Sequence, residues 1–180
     1  MSGIIPDKLF LTSNLRLWQI DAVERFGRPF KDVHGMNKEI IERWNDTVSD
    51  DDLVFVLGNF ALDNPETVRR TALRLRGFKS IILGDIDRGD PKWWVENGWQ
   101  AAMRHSLFLD QANIILSHRP LLTCDYFNFY GRPNGAVRRP NHLCVSTDDW
   151  DFRPMRLSEM LSSVGGIKTR LERFDIARRN

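Results

Sequence analysis

Short apolar runs alternate with helix-like segments along most of the chain, and this alternation constrains the fold more than any other feature. Strands that alternate with helices are typical of a layered α/β domain, in which helices pack on a largely parallel sheet. The runs that resemble buried strands are Lys8–Thr12, Leu53–Leu57, Ser80–Leu83, Asn113–Leu116 and, more weakly, Leu143–Ser146. The segments that resemble helices are Met36–Val48, Asn64–Leu75 and Pro91–Trp99. The sequence therefore predicts an α/β fold.

Composition limits the kind of protein this is. The chain has 180 residues, of which 42% are apolar and 28% charged, and this balance is typical of an ordinary globular protein. The 26 basic and 24 acidic residues are too evenly matched for a dedicated nucleic-acid coat. Two cysteines are too few for a disulfide scaffold, and no apolar stretch is long enough to cross a bilayer. We therefore expect a cytoplasmic protein with reduced thiols and no membrane contact.

Charge divides the chain into two parts. Residues 161–180 contain five basic and two acidic residues, a net charge of +3, and Gly165-Gly166 predicts a break in this region. We expect a main domain over residues 1–160 and a basic C-terminal helix or tail over residues 161–180. The tail either packs on the domain through its apolar side or serves as an arm that binds a partner or a phosphate.

Polar turns follow the predicted strands. Functional groups of α/β proteins collect on the loops beyond the carboxyl ends of strands, so these turns predict a composite site. The turns are Ser13-Asn14-Leu15-Arg16, Gly58-Asn59-Phe60, Gly84-Asp85-Ile86-Asp87, Ser117-His118-Arg119-Pro120 and Tyr130-Gly131-Arg132-Pro133-Asn134-Gly135.

The order of these turns resembles the calcineurin-like metallophosphoesterases, and most of all their small bacterial and phage members. That family places D-x-H, G-D, G-N-H-D, a lone H and G-H-x-H after successive strands. Two further stretches look like that branch, namely Arg28-Pro29-Phe30 through Trp44-Asn45, and Asp148 through Glu159. The resemblance covers about Leu9 to Met160. It implies a four-layer α/β sandwich with mixed central sheets.

The same resemblance implies a centre of two divalent metals, but most of the residues at the ligand positions have changed. The D-x-H position holds Asn14 and Arg16, and the G-D position holds Asn59. The G-N-H-D position reads Asp85, Ile86 and Asp87 after its glycine, and G-H-x-H is replaced by Arg132 and Asn134. His118 keeps a ligand type at the lone-histidine position.

These changes argue against two-metal hydrolysis. An amide cannot bridge two cations as a carboxylate does, and a guanidinium cannot be deprotonated to ligate a metal. The exchanges change the charge of the site by +3, close to the +4 that two divalent ions would bring. We therefore expect a pseudoenzyme with no catalytic residue, no metal and no cofactor.

Three interpretations of the altered pocket remain open. Pairing of Arg16 or Arg132 with Asp85 could simply stabilise a vestigial pocket. The pocket could instead bind a phosphate or an acidic side chain without cleaving it. A single Mn²⁺ or Zn²⁺ held by His118, Asp85 and Asp87 is the third interpretation.

Aromatic clusters outside the pocket suggest a partner surface. They lie in segments predicted as loops or short helices, where they either join the core or form exposed anchors for a protein. Arg138 and Arg139 could alternatively contact phosphates while tyrosines stack on bases, a weaker interpretation. The aromatic candidates are Trp93, Trp94, Tyr126, Phe129 and Tyr130.

The resemblance to phage members, together with the lost ligands, implies a phage-encoded protein that binds a host protein in the host cytoplasm and inhibits or redirects it. The first alternative is a module that binds a phosphate-containing ligand, a nucleotide or a nucleic acid in the vestigial pocket. The second is a residual phosphoesterase with one metal ion.

Overall fold

Two β-sheets lie face to face, and helices cover the other side of the first. The computed structural model describes residues 8–122, 126–131 and 140–163. Within them lie the strands β1 (Leu9–Thr12), β2 (Leu53–Val56), β3 (Phe78–Ile82), β4 (Ala101–Met103), β5 (Leu107–Leu109), β6 (Ile114–Ser117), β7 (Phe127–Tyr130), β8 (His142–Cys144) and β9 (Met155–Arg156). The helices are α1 (Ala22–Arg25), α2 (Val33–Thr47), α3 (Pro65–Arg74), α4 (Pro91–Glu96) and α5 (Leu157–Ser163).

Both sheets are mixed. The first has the order β4-β3-β2-β1-β9, with β1 to β4 parallel and β9 antiparallel to β1. The second has the order β5-β6-β7-β8, with β6 to β8 parallel and β5 antiparallel to β6. The protein is therefore an α/β fold, as the alternation of elements predicts, and it has two mixed sheets.

Side chains alternate between the two faces of the first sheet and so contribute to two hydrophobic cores. Phe10, Val54 and Ile81 lie on one face of the first sheet and pack with the apolar sides of α2, α3 and α4. Leu11 and Ile82 lie on the other face and pack between the two sheets, together with apolar residues of β6 and β7. The first sheet is buried on both faces, which explains its continuous apolar strands.

The predicted helices form, with ends set by their caps. Helix α3 begins where the sequence predicts, because the side chain of Asn64 accepts a hydrogen bond from the Thr67 N–H at 3.0 Å. Helix α2 begins before the predicted Met36, since Asp32 accepts from the Gly35 N–H. Helix α4 ends at Glu96, and Gly98 takes a positive φ of 96° just beyond it.

The aromatic segment near residue 127 departs from the prediction. Loops or short helices were expected there, whereas Phe127–Tyr130 is the strand β7, paired in parallel with β6 and β8. Phe127 and Phe129 pack between the sheets, and Asn128 alternates with them. The strands β4, β5 and β9 were not predicted either, and each is only two or three residues long.

The expected C-terminal tail lies outside the described residues beyond Ser163. Among the residues that the structure describes, no helix has the length and apolar character that a membrane crossing requires.

Candidate functional site

The loops that follow the parallel strands of both sheets meet at one edge, as the sequence predicts. The backbone N–H of Asn14, after β1, donates to the Gly58 carbonyl after β2 at 3.0 Å. The Gly131 N–H, after β7, donates to the Ser117 carbonyl at the end of β6, also at 3.0 Å. Ser13 and Ser146 form a parallel bridge that joins the two sheets. The topology thus brings the predicted loops into one site.

Two asparagines occupy the centre of this site. Asn14 and Asn59 are buried, with 3% and 0% of their surface exposed. Nδ2 of Asn59 donates to Oδ1 of Asn14 at 2.8 Å. Nδ2 of Asn14 donates to the Gly131 carbonyl and, at 3.1 Å, to Oγ of Ser146, and Oδ1 of Asn59 accepts from the Ile86 N–H at 3.3 Å. The two amides therefore satisfy each other and tie five loops together, those after β1, β2, β3, β7 and β8.

Asp87 holds the loops after β2 and β3 against each other. Its Oδ2 accepts from the backbone N–H groups of Asn59 at 2.8 Å and Gly84 at 2.7 Å. Its Oδ1 accepts from the Phe60 N–H at 2.8 Å. Burial raises the pKa of the Asp87 carboxyl, while these three N–H donors and the nearby His118 oppose the rise.

His118 and Asp85 face each other across the site. Nδ1 of His118 lies 2.9 Å from the Leu57 carbonyl oxygen, so Nδ1 bears a hydrogen and donates it. Nε2 lies 3.5 Å from Oδ2 of Asp85, is buried, and has no hydrogen-bond partner among the described atoms. Asp85 also forms an ion pair with Arg119 at 2.7 Å.

Arg16 turns toward the beginning of the helical layer. Its Nη1 donates to Oε1 of Gln19 at 2.9 Å, and its guanidinium lies over the Phe26 ring, 4.2 Å from the centroid. Of the two expected partners of Asp85, Arg16 makes the contacts just described, and Arg132 lies outside the described residues together with Asn134. Among the described residues, Arg119, quoted in the sequence only as part of a loop, is a cation that pairs with Asp85.

A buried arginine supports the loop after β1, and the sequence gives it no such role. The side chain of Arg28 is 1% exposed and forms two hydrogen bonds with the carboxylate of Asp148, at 2.8 and 3.0 Å. It also donates to the carbonyls of Leu15 at 2.9 Å and Asn14 at 2.5 Å. The family-like stretches contain both Arg28 and Asp148, but nothing in a single sequence links residues so far apart. Asp148 in turn accepts from Oγ of Ser146 at 2.9 Å.

The backbone of the site is tightly constrained. Asn14, Arg16, Trp18 and Asn59 all have positive φ, between 51° and 63°, a conformation that costs L-residues energy. Gly58 has a φ of 86°, and a Cβ on it would lie 2.3 Å from Nδ1 of His118. A Cβ on Gly84 would lie 2.6 Å from the Asn59 nitrogen. Glycine is therefore required at both positions by close packing.

This arrangement does not fit the two-metal centre that the resemblance implies. The amides of Asn14 and Asn59 are bound to each other, and both oxygens of Asp87 accept backbone hydrogen bonds. Arg119 places a fixed cation on Asp85. Across the part of the chain that the structure describes, no group of three or more His, Cys, Asp or Glu side chains is placed to hold a metal ion. The single-metal interpretation is not supported either, because His118, Asp85 and Asp87 do not form such a group.

The aromatic candidates for partner binding divide into two groups. Trp94, Phe129 and Tyr130 are 1%, 0% and 5% exposed, so they belong to the core and cannot anchor a partner. Trp93 and Tyr126 are partly buried. Arg138 and Arg139 lie outside the described residues.

Comparison with known proteins gives a homologue and a similar fold. No family model matches the chain. It is 30% identical over 103 residues to the uncharacterized protein MJ1445 of Methanocaldococcus jannaschii, and the match covers 55% of this chain and 58% of that relative. The crystal structure of AQ665 from Aquifex aeolicus, a protein of unknown function, is similar with a TM-score of 0.68. That match covers 84% of this chain and 96% of AQ665 at 16% identity, so it shows a shared fold alone.

Proposed function

We propose that this chain is a catalytically inactive calcineurin-like metallophosphoesterase that acts by binding a protein partner. The proposal includes the four-layer sandwich of that family, of which the described residues supply one helical layer and two mixed sheets. It is supported by the family-like order of the strand-end loops and by their convergence on one site. A phage origin and a host protein as target remain expectations from the sequence.

The hydrogen bond between Asn59 Nδ2 and Asn14 Oδ1 is the observation on which the proposal rests most. In the family pattern, carboxylates stand at both positions and one of them bridges the metals. In this protein a hydrogen bond of 2.8 Å between two side-chain amides occupies the position of those carboxylates. Two neutral amides that are hydrogen-bonded to each other are weak ligands for divalent cations, which prefer charged oxygen ligands.

A hydrolysis assay tests the loss of catalysis. The chain is purified with Mn²⁺ present and incubated with bis(p-nitrophenyl) phosphate and p-nitrophenyl phosphate, with and without EDTA. We expect the same rate for the wild type and for His118→Ala, since neither has a metal-bound nucleophile. A rate that EDTA abolishes, and that His118→Ala lacks, would contradict the proposal.

One observation favours a second candidate, an anion site in the vestigial pocket. Nε2 of His118 is buried without a hydrogen-bond partner among the described atoms, and the cationic Arg119 is nearby through Asp85. A phosphate in the pocket would supply the hydrogen-bond partner that Nε2 lacks. If this candidate is right, 10 mM inorganic phosphate should raise the melting temperature of the wild type but not of His118→Ala. Equal shifts in both proteins would count against it.

A further inference from the structure

A two-lobed groove lies on the helix side of the loops that follow β1, β2 and β3. Its two lobes have volumes of about 490 and 670 Å³. Leu62, Asp63, Asn64 and Arg88 line both lobes, so the lobes are continuous. The groove is separate from the vestigial pocket, although Arg88 directly follows the bracing residue Asp87.

The first lobe is mainly apolar. Its walls include Pro65 and Val68 at the start of α3, and Trp93 and Trp94 of α4. The two indole rings meet edge to face, with centroids 5.2 Å apart, and Trp94 is fixed by donating Nε1–H to the Arg88 carbonyl at 2.9 Å. A partly buried tryptophan supported by a fixed one is a rigid surface for an apolar side chain.

The second lobe combines an aromatic wall with an exposed apolar rim. Trp18 is held by donating Nε1–H to Oγ1 of Thr71 at 2.8 Å, and His34 packs edge to face on it at 5.9 Å. Ile20, which also lines this lobe, is 88% exposed. The apolar surface of the groove therefore extends beyond the first lobe as far as Ile20.

The charges in the groove indicate what it would bind. The carboxylate of Asp21 accepts from Gln19 at 2.7 Å and from Arg25 at 3.2 Å. Asp63 accepts from the Asn64 N–H at 2.6 Å. The guanidinium of Arg88 has neither a hydrogen bond nor an ion pair with any described residue. Arg88 is exposed, so an incoming carboxylate would pair with it rather than with the hydrogen-bonded carboxylates of Asp21 and Asp63.

We propose that this groove binds a segment of a partner protein. The segment presents a carboxylate to Arg88 and an aromatic or aliphatic side chain to Trp93 in the first lobe. The inference rests on the proposed function, because it names the surface through which the protein binds its partner. Exposed Ile20 then covers a second apolar residue of the same segment. Such pairing of aromatic anchors with one arginine is a common arrangement in protein interfaces.

Selection from a random 12-residue peptide library tests the docking site, with the full chain as the target. Enriched peptides should place Asp or Glu within three residues of Trp, Phe, Leu or Ile. Binding of the enriched peptide, followed by fluorescence anisotropy, should weaken about tenfold or more in Arg88→Glu and in Trp93→Ala. Arg74→Glu, an exposed arginine on the opposite end of α3, should leave it within about twofold.

A charge exchange separates docking from a folding defect. The peptide with its acidic residue changed to lysine should bind Arg88→Glu better than it binds the wild type. A library that gives no enrichment over an unrelated protein, enriched peptides without acidic residues, or equal affinity for wild type and Arg88→Glu would each overturn the docking site. A small-molecule site would also overturn the proposal. It would be shown if no peptide bound while 1 mM AMP changed the tryptophan fluorescence of the wild type but not of Arg88→Glu.

The two proposals fail separately. Metal-dependent phosphodiester hydrolysis together with peptide binding at Arg88 would refute the pseudoenzyme and keep the groove. An inactive, metal-free protein whose groove binds no peptide would refute the groove alone.

Discussion

At the scale of single residues, the site is held by polar side chains whose hydrogen-bonding groups point at one another. Buried amides and carboxylates are tolerated only when they are paired, so each member of this network depends on the rest. The residue types at Asn14, Asn59 and Asp87 are evident from the sequence, but their mutual contacts are not, because the contacts join loops from different strands. The same network makes specific changes costly.

Replacement of Asn59 with aspartate should destabilise the protein. Asn59→Asp turns the donor that faces Oδ1 of Asn14 into an acceptor and buries a charge, and we expect a loss of about 2 kcal/mol or more in the free energy of unfolding. Asn64→Asp is the matched control, because Asn64 is an exposed helix cap where aspartate serves as well. Urea denaturation measures both, and similar stabilities for the two variants would contradict the pairing.

Arg28 should be one of the most costly arginines to remove. Arg28→Ala leaves the carbonyls of Leu15 and Asn14 without this buried donor and removes the ion pair with the partly exposed Asp148, so we expect a loss of about 3 kcal/mol or more. Arg25→Ala removes an exposed pair with Asp21 and should cost less than about 1 kcal/mol. Equal melting temperatures for the two variants would show that Arg28 does not support the loop after β1.

Asp87 should give the protein a specific dependence on pH. Because burial raises the pKa of Asp87 in the folded state above its ordinary 3.8, its contribution to stability is complete below that value and is lost as pH rises. The free energy of unfolding of the wild type, measured against Asp87→Asn, should therefore decrease as the pH rises above about 4. A difference between the two proteins that is constant or increases over this range would contradict the raised pKa.

At the scale of elements, the sequence predicts best where local chemistry decides the outcome. The apolar runs of β1 and β2 and the cap and proline of α3 define those elements without help from the rest of the chain. Strand β7 was missed because an aromatic run reads equally well as a packed loop, and only its neighbours β6 and β8 make it a strand. The short edge strands β4, β5 and β9 depend in the same way on pairing between distant residues.

The turn after β2 should tolerate no side chain at its glycine. Gly58→Ala adds a Cβ that meets Nδ1 of His118 at 2.3 Å and Cα of Gly84 at 2.8 Å, in addition to the strain of a positive φ. Gly27→Ala has a similar positive φ but nothing within 4 Å, so it should show only the conformational cost, about 1 kcal/mol. Gly58→Ala should cost at least about 2 kcal/mol more in urea denaturation, and equal losses would show that the loops can separate.

At the scale of the whole molecule, the fold brings the ends of two mixed sheets together and so assembles a site from five separate loops. The sequence predicts four of these loops from the apolar run before each, and it includes the loop after β7 only for its polar residues. It does not predict that Asp85 pairs with Arg119, or that Arg28 and Asp148 lock the edge, since both contacts depend on how the sheets pack. It also placed Phe129 and Tyr130 among possible partner contacts, although all four residues of β7 are buried.

The central claim is that the side chains at this edge hold one another in place of metal ions. Elemental analysis of protein purified in the presence of Mn²⁺ and Zn²⁺ tests it most directly. A neutral amide pair, a carboxylate that accepts three backbone hydrogen bonds and a cation paired with Asp85 predict less than about 0.1 metal ion per chain. One or two metal ions per chain, lost in His118→Ala, would contradict the claim and would show that these ligands bind metal despite their hydrogen bonds.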